Sequence, residues 1–249
     1  MSESKELLIL VSGASKTVRA WAGHKNLGCL LTPQTGNKPP VDLKWAADNA
    51  AYSNWCKKKF VAMLEKISKA ENPPMWVACP DVVGNARATH KLFREWEPVI
   101  RSKYGLKVAL VLQNGQESIG VPWQDIDAIF IGGDDAFKYS KHVAYLVKKA
   151  RALGLEAHMG RVNSEKRIEY ARRIGCTSVD GTGFSMFPDR RIPSFLRLLE
   201  TQQGEMFAEK DLTLHPKGIS TRSPVQASGS EEEKSQCCFV FATAQIGGL

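Results

Sequence analysis

Eight short apolar runs divide this chain, and polar or glycine residues end each of them. The runs occupy residues 7–13, 28–34, 44–49, 75–81, 108–114, 128–134, 156–162 and 177–183. Helix-like patterns lie between several of the runs and after the last, at 53–70, 85–103, 137–153, 164–174 and 189–203. Nearly continuous apolar strands that alternate with helices indicate a parallel sheet. Eight of them predict a (β/α)8 TIM barrel. An open doubly wound sheet is the alternative, although the G-x-G-x-x-G fingerprint that would favour it is missing.

The composition changes at about residue 204. The stretch HPKGISTRSPVQASGSEEEKSQ is rich in Ser, Gly and Pro and has no hydrophobic period, which is typical of a disordered linker or tail. The apolar stretch CCFVFATAQIGGL follows, and it could add a strand or dock on the barrel. We therefore predict a barrel domain at residues 1–203 and a partly disordered extension at 204–249.

Charge and composition limit the partners and the compartment. The formal net charge is +8, of which residues 1–204 carry +10 and residues 205–249 carry −2. This surplus favours a polyanionic partner such as nucleic acid, with a merely solvated basic surface as the alternative. No apolar run is long enough for a membrane span, and the N-terminus lacks the form of a secretory signal, so we expect a soluble cytoplasmic protein. The six cysteines form no C-x-x-C pair, which favours reduced thiols over disulfides or a zinc site.

Polar residues at the ends of the predicted strands are the candidate site, because the carboxyl ends of barrel strands build the active site. They are Asp48, Asp81, Gln113, Gly132-Gly133, His158-Met159-Gly160 and Asp180. A single Asp at a strand end is more often a helix cap, and Asp134 and Asp135 fit that interpretation. Three carboxylates that converge with Gln113 on one pocket are harder to explain as caps.

This set of side chains fits glycosyl transfer. Two carboxylates beside an anomeric carbon are the usual apparatus for that chemistry. Gln113 and a third Asp could read the edge of a planar base, beside backbone groups that Gly132-Gly133 would expose. Tyr52 and Met159 could sandwich its ring, although ordinary core packing is an equal alternative for Met159. A divalent metal site is another alternative, weakened by five dispersed histidines without H-x-H or H-E-x-x-H spacing.

Six segments, in order, resemble motifs of the tRNA-guanine transglycosylase superfamily. Asp48-Asn49-Ala50-Ala51-Tyr52 resembles its D-S-G-G-[FY] segment, and Ala78-Cys79-Pro80-Asp81 resembles the strand with its second base-binding aspartate. The other four are Val111-Leu112-Gln113-Asn114-Gly115 (V-Q-G), Ile131-Gly132-Gly133 (I-G-G), His158-Met159-Gly160 (L-M-G) and Ser178-Val179-Asp180 (D-x-F-D). The resemblance spans roughly residues 28–200.

The departures from the family pattern bear on the substrate. Alanines replace both glycines after Asp48, and the proline-threonine-arginine run that follows the nucleophile in the family is missing after Asp180. The tRNA enzymes carry a zinc site of three closely spaced cysteines and a histidine, which nothing in this sequence supplies. The chain looks most like the branch that exchanges guanine in DNA for a 7-deazaguanine such as preQ0. That branch occurs in phages and in bacterial DNA-modification clusters, which implies the bacterial cytoplasm.

The resemblance implies a role for each matching residue. Asp180 would be the nucleophile and Asp48 the general acid/base. Asp81, Gln113, Gly132 and Gly133 would read the base, while Tyr52, Met159 and Gly160 would line its faces. Arg87 and Arg161 would hold phosphates of the nucleic acid, and the base would have to leave the stack. The resemblance implies no cofactor and no metal, and homo-oligomers remain possible.

Three alternatives remain open on the sequence alone. The same reaction could act on tRNA. A barrel that binds a phosphorylated small molecule at Gly132-Gly133 is a different class of enzyme. A non-catalytic nucleic-acid-binding subunit would keep the basic surface, although the intact Asp48 and Asp180 pair argues against it.

Overall fold

The computed structural model describes residues 7–12, 16–21, 23–35, 43–53 and 55–200. These residues form a closed barrel of eight parallel strands in sequential order, with the last strand paired to the first. The strands are β1 Leu8–Ser12, β2 Leu27–Leu31, β3 Lys44–Ala47, β4 Val77–Ala78, β5 Val108–Leu112, β6 Ala128–Ile131, β7 Glu156–Met159 and β8 Ser178–Asp180. The predicted (β/α)8 barrel is confirmed, and each strand lies within or next to one of the eight apolar runs. The extension predicted at residues 204–249 lies outside the described residues.

Helices surround the barrel. They are α1 Lys16–Ala20, α2 Lys57–Ile67, α3 Ala86–Tyr104, α4 Asp135–Lys138, α5 Lys141–Ala152, α6 Glu165–Ile174, α7 Thr182–Met186 and α8 Pro188–Glu200. The single helix predicted at 137–153 is divided into α4 and α5, because Ser140 caps a new helix by accepting a hydrogen bond from the Val143 N–H at 3.2 Å. The prediction missed α1 and α7, whose five residues are too short for a clear helical period. None of the described helices is long and apolar enough to cross a membrane.

The strands are buried on both faces, which explains why they read as continuous apolar runs. Their inward side chains fill the lumen, and the outward ones pack against the helices. The lumen is packed by Leu8, Leu10, Leu30, Ala46, Trp76, Ala78, Ala109, Val111 and Ala128, with Met75 and Phe130 partly buried against them. Most of these side chains are small, and the large indole of Trp76 fills the centre.

The alternation of side chains along a strand determines which polar residues reach the mouth of the barrel. Ala46 faces the lumen, so Asp48 two residues later lies on the same side. In the same way, Val111 faces the lumen, so Gln113 two residues later lies on the lumen side. On β8, Ser178 and Asp180 both contact His158, which places their side chains on the lumen side. The strand ends therefore present polar groups above a dry, apolar lumen.

Candidate active site

Asp180, at the end of β8, is held by two hydrogen bonds to one carboxylate oxygen. Its Oδ1 lies 3.1 Å from the Nε2 of His158 and accepts a hydrogen bond from the backbone N–H of Arg161 at 3.0 Å. The side chain keeps 17% of its surface exposed, so it remains reachable from the mouth. Its second oxygen has no protein donor among the described residues, which suits an attacking group.

His158, one strand away on β7, lies entirely inside the lumen. Its Nδ1 lies 2.9 Å from the Ser178 hydroxyl, and its ring packs between Trp76 and Phe130 at centroid distances of 5.1 and 4.5 Å. A neutral ring satisfies both contacts if Nε2–H donates to Asp180 and the Ser178 hydroxyl donates to Nδ1. The ring thus has one place and one orientation, and it fixes the rotamer of Asp180.

Asp48, at the end of β3, lies in a different environment. The backbone N–H groups of Asn49 and Ala50 donate to its carboxyl group, with the Asn49 contact at 2.8 Å. Burial, followed by the nearby charges of Asp180 and Asp81, outweighs these donors and raises the pKa of Asp48 to about 7. A carboxyl with that pKa can both donate and accept a proton near neutral pH.

The turn after Asp48 carries backbone strain. Ala50 is in the left-handed region at φ 63°, which costs an L-residue about 1–2 kcal/mol relative to its ordinary conformations. It stands at the first of the two positions where the family motif has glycine. Ala50 therefore occupies a turn conformation that glycine adopts more readily.

Asp81, after β4, is joined to its neighbours by two side-chain amides. Its Oδ1 accepts a hydrogen bond from Asn49 Nδ2 at 2.8 Å, and its Oδ2 accepts one from Gln113 Nε2 at 2.7 Å. Each oxygen keeps one further acceptor site. Burial raises the pKa of Asp81, and the two amide bonds oppose that shift. Asp81 can therefore accept two further hydrogen bonds from donors at the mouth.

Gln113 holds the loops together, and little of it is free to read a base. It is 3% exposed, and its Oε1 accepts from the Gly84 and Gly133 N–H groups at 2.9 and 2.8 Å. With its Nε2 bonded to Asp81, the amide joins the ends of three strands. Its contacts make Gln113 a residue that positions Asp81, and direct reading of the base through its second Nε2 hydrogen stays a prediction.

Gly132 and Gly133 do not expose backbone groups as expected. Both are buried, and their N–H groups donate to the Leu112 carbonyl at 2.9 Å and to Gln113. The Gly133 carbonyl accepts from Arg161. A Cβ at Gly132 would lie 2.6 Å from Gln113 Nε2, so glycine is needed here for close packing rather than for ligand contact. This placement also removes the phosphate cradle proposed at this pair.

Met159 lies away from the mouth. It is completely buried and belongs to the layer between strands and helices, because His158 takes the inward direction on the same strand. The expectation that it stacks on a base is corrected by this placement. Gly160 does border the site: a Cβ there would lie 2.8 Å from the Phe130 ring and 3.3 Å from Asp180 Oδ1.

Tyr52 and Arg161 meet at the rim. Tyr52 is 65% exposed, and the Arg161 guanidinium lies 4.4 Å from the centre of its ring. Arg161 also donates to the Gly133 carbonyl and has a left-handed backbone at φ 59°. These contacts reach across the mouth, from the loop after β3 to the loops after β6 and β7. Arg87, by contrast, is exposed in the first turn of α3, outside the mouth.

Two residues of this site had no role assigned from sequence. His158 was noted only for its place at a strand end, although its parity with Ser178 and Asp180 was a usable signal. Lys138 is 2% exposed, and its Nζ donates to the Gly160 carbonyl at 2.7 Å. Burial, with the nearby Arg161 charge, lowers the pKa of Lys138 to about 8. Nothing in a run such as DDAFKYS marks its lysine as buried.

The neighbouring carboxylates have structural roles. Asp134 caps α4 by accepting a hydrogen bond from the Phe137 N–H at 2.8 Å, as predicted. Asp135 pairs with Arg167 at 2.5 Å. Within the described residues, no group of three or more His, Cys, Asp or Glu is arranged to hold a metal ion.

Comparison with known proteins assigns no family to this chain. No family model matches the chain, and no curated protein matches it. Similar solved structures include a protein described as a mandelate racemase from Mesorhizobium loti, with 14% identity, a TM-score of 0.39, and coverage of 72% of this chain and 51% of that one. An HpcH/HpaI aldolase from Desulfitobacterium hafniense matches at 8% identity and a TM-score of 0.42, covering 77% and 93%. The chain spans about half the length of the racemase. At these TM-scores the likenesses carry no argument about chemistry.

Proposed function

We propose that this protein is a base-exchange glycosyltransferase that replaces guanine in DNA by a 7-deazaguanine such as preQ0. The observation that carries the proposal is the pairing of Asp48 and Asp180 at one barrel mouth in unlike surroundings. Burial raises the pKa of Asp48 to about 7, which suits an acid, and Asp180 keeps one oxygen without a donor among the described residues, which suits a nucleophile at a glycosidic bond. The six family-like segments supply the choice of base and polymer.

The reaction balances with the side chains at the mouth. The free oxygen of Asp180 attacks C1′ of the target deoxyguanosine, the C1′–N9 bond breaks, and its electron pair leaves with guanine. Protonated Asp48 delivers a proton to the departing base. Asp48, now a carboxylate, then removes a proton from N9 of the incoming 7-deazaguanine, which attacks C1′ and displaces Asp180. One glycosidic bond replaces another, with no net oxidation or reduction.

Other residues of the mouth position the two bases. Asp81, held by Asn49 and Gln113, offers one acceptor site on each oxygen to the N–H groups of a guanine edge. Both guanine and 7-deazaguanine present that edge, so one pocket serves the leaving and the entering base. Tyr52 offers a ring face at the rim, beside the Arg161 guanidinium.

The test is incorporation of labelled guanine or preQ0 into oligonucleotide DNA, with tRNA in a parallel arm. We expect incorporation into DNA, and a covalent protein–DNA adduct that Asp180→Ala abolishes together with exchange. Exchange at the wild-type rate by the Asp180→Ala chain would overturn the nucleophile assignment. Incorporation into tRNA alone would replace DNA by RNA as the substrate, and DNA binding without any exchange would favour the non-catalytic alternative.

A further inference from the structure

A groove of about 610 Å³ runs along the first half of α3, on the outside of the barrel. Arg87, Lys91 and Arg94 line one wall, while Ser118 and Gly120 from the segment after β5 line the other. Residues spaced by four and three positions share one face of an α-helix, so the three cations form a row about 10 Å long at 1.5 Å per residue.

The three cations have no protein partner among the described residues. Arg101, lower on the same helix, contrasts with them: it pairs with Glu97 at 2.6 Å and with Asp127 at 2.7 Å. Glu95 also borders the groove and leaves the row with a net charge of +2. An unpaired row of like charges repels itself, and a polyanion in the groove would remove that repulsion.

The groove is continuous with the barrel mouth along the chain. The loop between Asp81 and Arg87 carries Val82 and Val83, which are 39% and 43% exposed. Asn85 then caps α3 by accepting a hydrogen bond from the Ala88 N–H at 3.0 Å. Five residues thus separate the base-binding carboxylate from the first cation of the row, and two of them are the exposed valines.

We propose that this groove binds the backbone of a single polynucleotide strand next to the target nucleotide. Its phosphates lie against Arg87, Lys91 and Arg94, and Val82 and Val83 contact the neighbouring unstacked base. The inference rests on the proposed function and adds the path of the strand. Single strands are held by a cationic groove that binds the phosphates together with side chains, usually aromatic, that contact the base faces. Here the exposed Val82 and Val83 are the apolar surface next to the groove.

The test is equilibrium binding of a short fluorescent single-stranded DNA at several salt concentrations. The variant is R87Q/K91Q/R94Q, and the matched control K107Q/K148Q/R172Q removes the same charge from exposed positions at the opposite end of the barrel. Three lost phosphate contacts should make the slope of log K against log salt shallower by about 2, since each contact contributes about 0.7 for single strands. We expect about tenfold or greater weakening in the variant and an unchanged slope in the control. Equal slopes for the variant and the wild type would overturn the proposal.

Parallel measurements separate this proposal from the function on which it rests. If the wild-type chain exchanges bases and the triple variant binds DNA with the wild-type slope, the groove assignment is wrong and the function stands. If the wild type binds but does not exchange, loss of slope in the variant still supports the groove. If the wild type neither binds nor exchanges, both are wrong.

Two further arms test the strand and the polymer. V82S/V83S should lower the preference for a single strand over a duplex of the same sequence by about threefold or more, because serine removes the apolar surface that contacts an unstacked base. An unchanged preference would exclude the apolar step from the path. Thermal unfolding of each variant checks folding, and an RNA strand of the same sequence distinguishes the two polymers.

Discussion

The two sides of the barrel mouth hold their carboxyl groups in opposite ways. On the β7–β8 side, Asp180 is fixed by a buried imidazole and a backbone N–H. On the β3–β5 side, Asp48 lies in a desolvated recess close to two other carboxyl groups, and its pKa rises to about 7. The same residue type at equivalent strand ends is therefore suited to two different chemical roles, because its surroundings differ.

The difference follows from which contributions dominate. At Asp48 the loss of hydration and the charges of Asp180 and Asp81 exceed the effect of two backbone donors. At Asp180 the donors are pre-aligned, and the buried ammonium of Lys138 lies close enough for the Asp180 charge to favour its protonated form. Such a division is how one pocket supplies both a proton donor and a nucleophile.

The largest expected effect is the loss of base exchange when either carboxyl group is replaced. Asp48→Asn and Asp180→Asn should each lower base exchange by about a thousandfold or more, because each removes a group that acts on the glycosidic bond.

The stabilities of the two variants should differ in opposite directions from that of the wild type at pH 8. Asp48→Asn removes a charge whose desolvation its two backbone donors do not offset, and should raise the free energy of unfolding by about 1–3 kcal/mol, whereas Asp180→Asn replaces a charged acceptor for His158 and Arg161 by a weaker neutral one and should not. Urea unfolding measures both, and a destabilised Asp48→Asn chain would contradict the assignment.

The pH dependence should follow Asp48. If departure of guanine needs the protonated acid, kcat/KM for DNA should fall about tenfold per pH unit above pH 7. Between about pH 4 and pH 7 the folded chain keeps a proton that an unfolded aspartate has released. The free energy of unfolding should therefore fall as pH rises through that window, by up to about 1.4 kcal/mol per unit for one proton. Asp81, whose pKa is also raised, adds to the same trend.

The Asp48→Asn chain is the control for this pH profile. Across the same window, the slope of its unfolding free energy against pH should be smaller by an amount that corresponds to up to one proton. A slope identical to that of the wild type would place the titrating proton on another group.

His158→Phe should give an intermediate effect. Phenylalanine keeps the packing between Trp76 and Phe130 but cannot bond to Ser178 or Asp180. We expect kcat to fall about 10- to 100-fold with KM for DNA nearly unchanged, because the nucleophile loses its orientation while base binding remains. His158→Gln, which restores a donor, should recover part of kcat. A rise in KM for DNA with kcat unchanged would show that the ring has only a structural role.

The smallest expected effect concerns the turn behind Asp48. Ala50→Gly should raise the free energy of unfolding by about 0.5–1 kcal/mol, since glycine adopts φ 63° without a Cβ clash. Ala51→Gly is the matched control, because Ala51 has no positive φ. It should lower the free energy of unfolding by a similar amount through the entropy of the unfolded chain. Equal signs for the two substitutions would contradict a strained turn.

Sequence patterns predicted the strands better than they predicted the roles of residues at the strand ends. Each apolar run became a strand because burial on both faces leaves a long, local signal. The parity of Asp48 and Asp180 could be predicted in the same way. The prediction that Met159 stacks on a base was wrong, because it rested on the position at the strand end and ignored the alternation of side chains from His158. The hydrogen bonds of Gln113 and Gly133 could not be predicted, because sequence cannot say whether a polar group is already satisfied by its neighbours.

By itself, the sequence determined the eightfold alternation, the barrel and the set of polar residues at its mouth, because hydrophobic periodicity and strand ends are local properties of the chain. Only the tertiary structure decided which carboxyl group is desolvated and which is held by donors. It also decided that Lys138 and His158 are buried beside them, and that Arg87, Lys91 and Arg94 face a groove without a partner in the described part of the chain. Proton affinity and charge pairing depend on atoms distant in sequence and adjacent in space, so they appear only when the barrel closes.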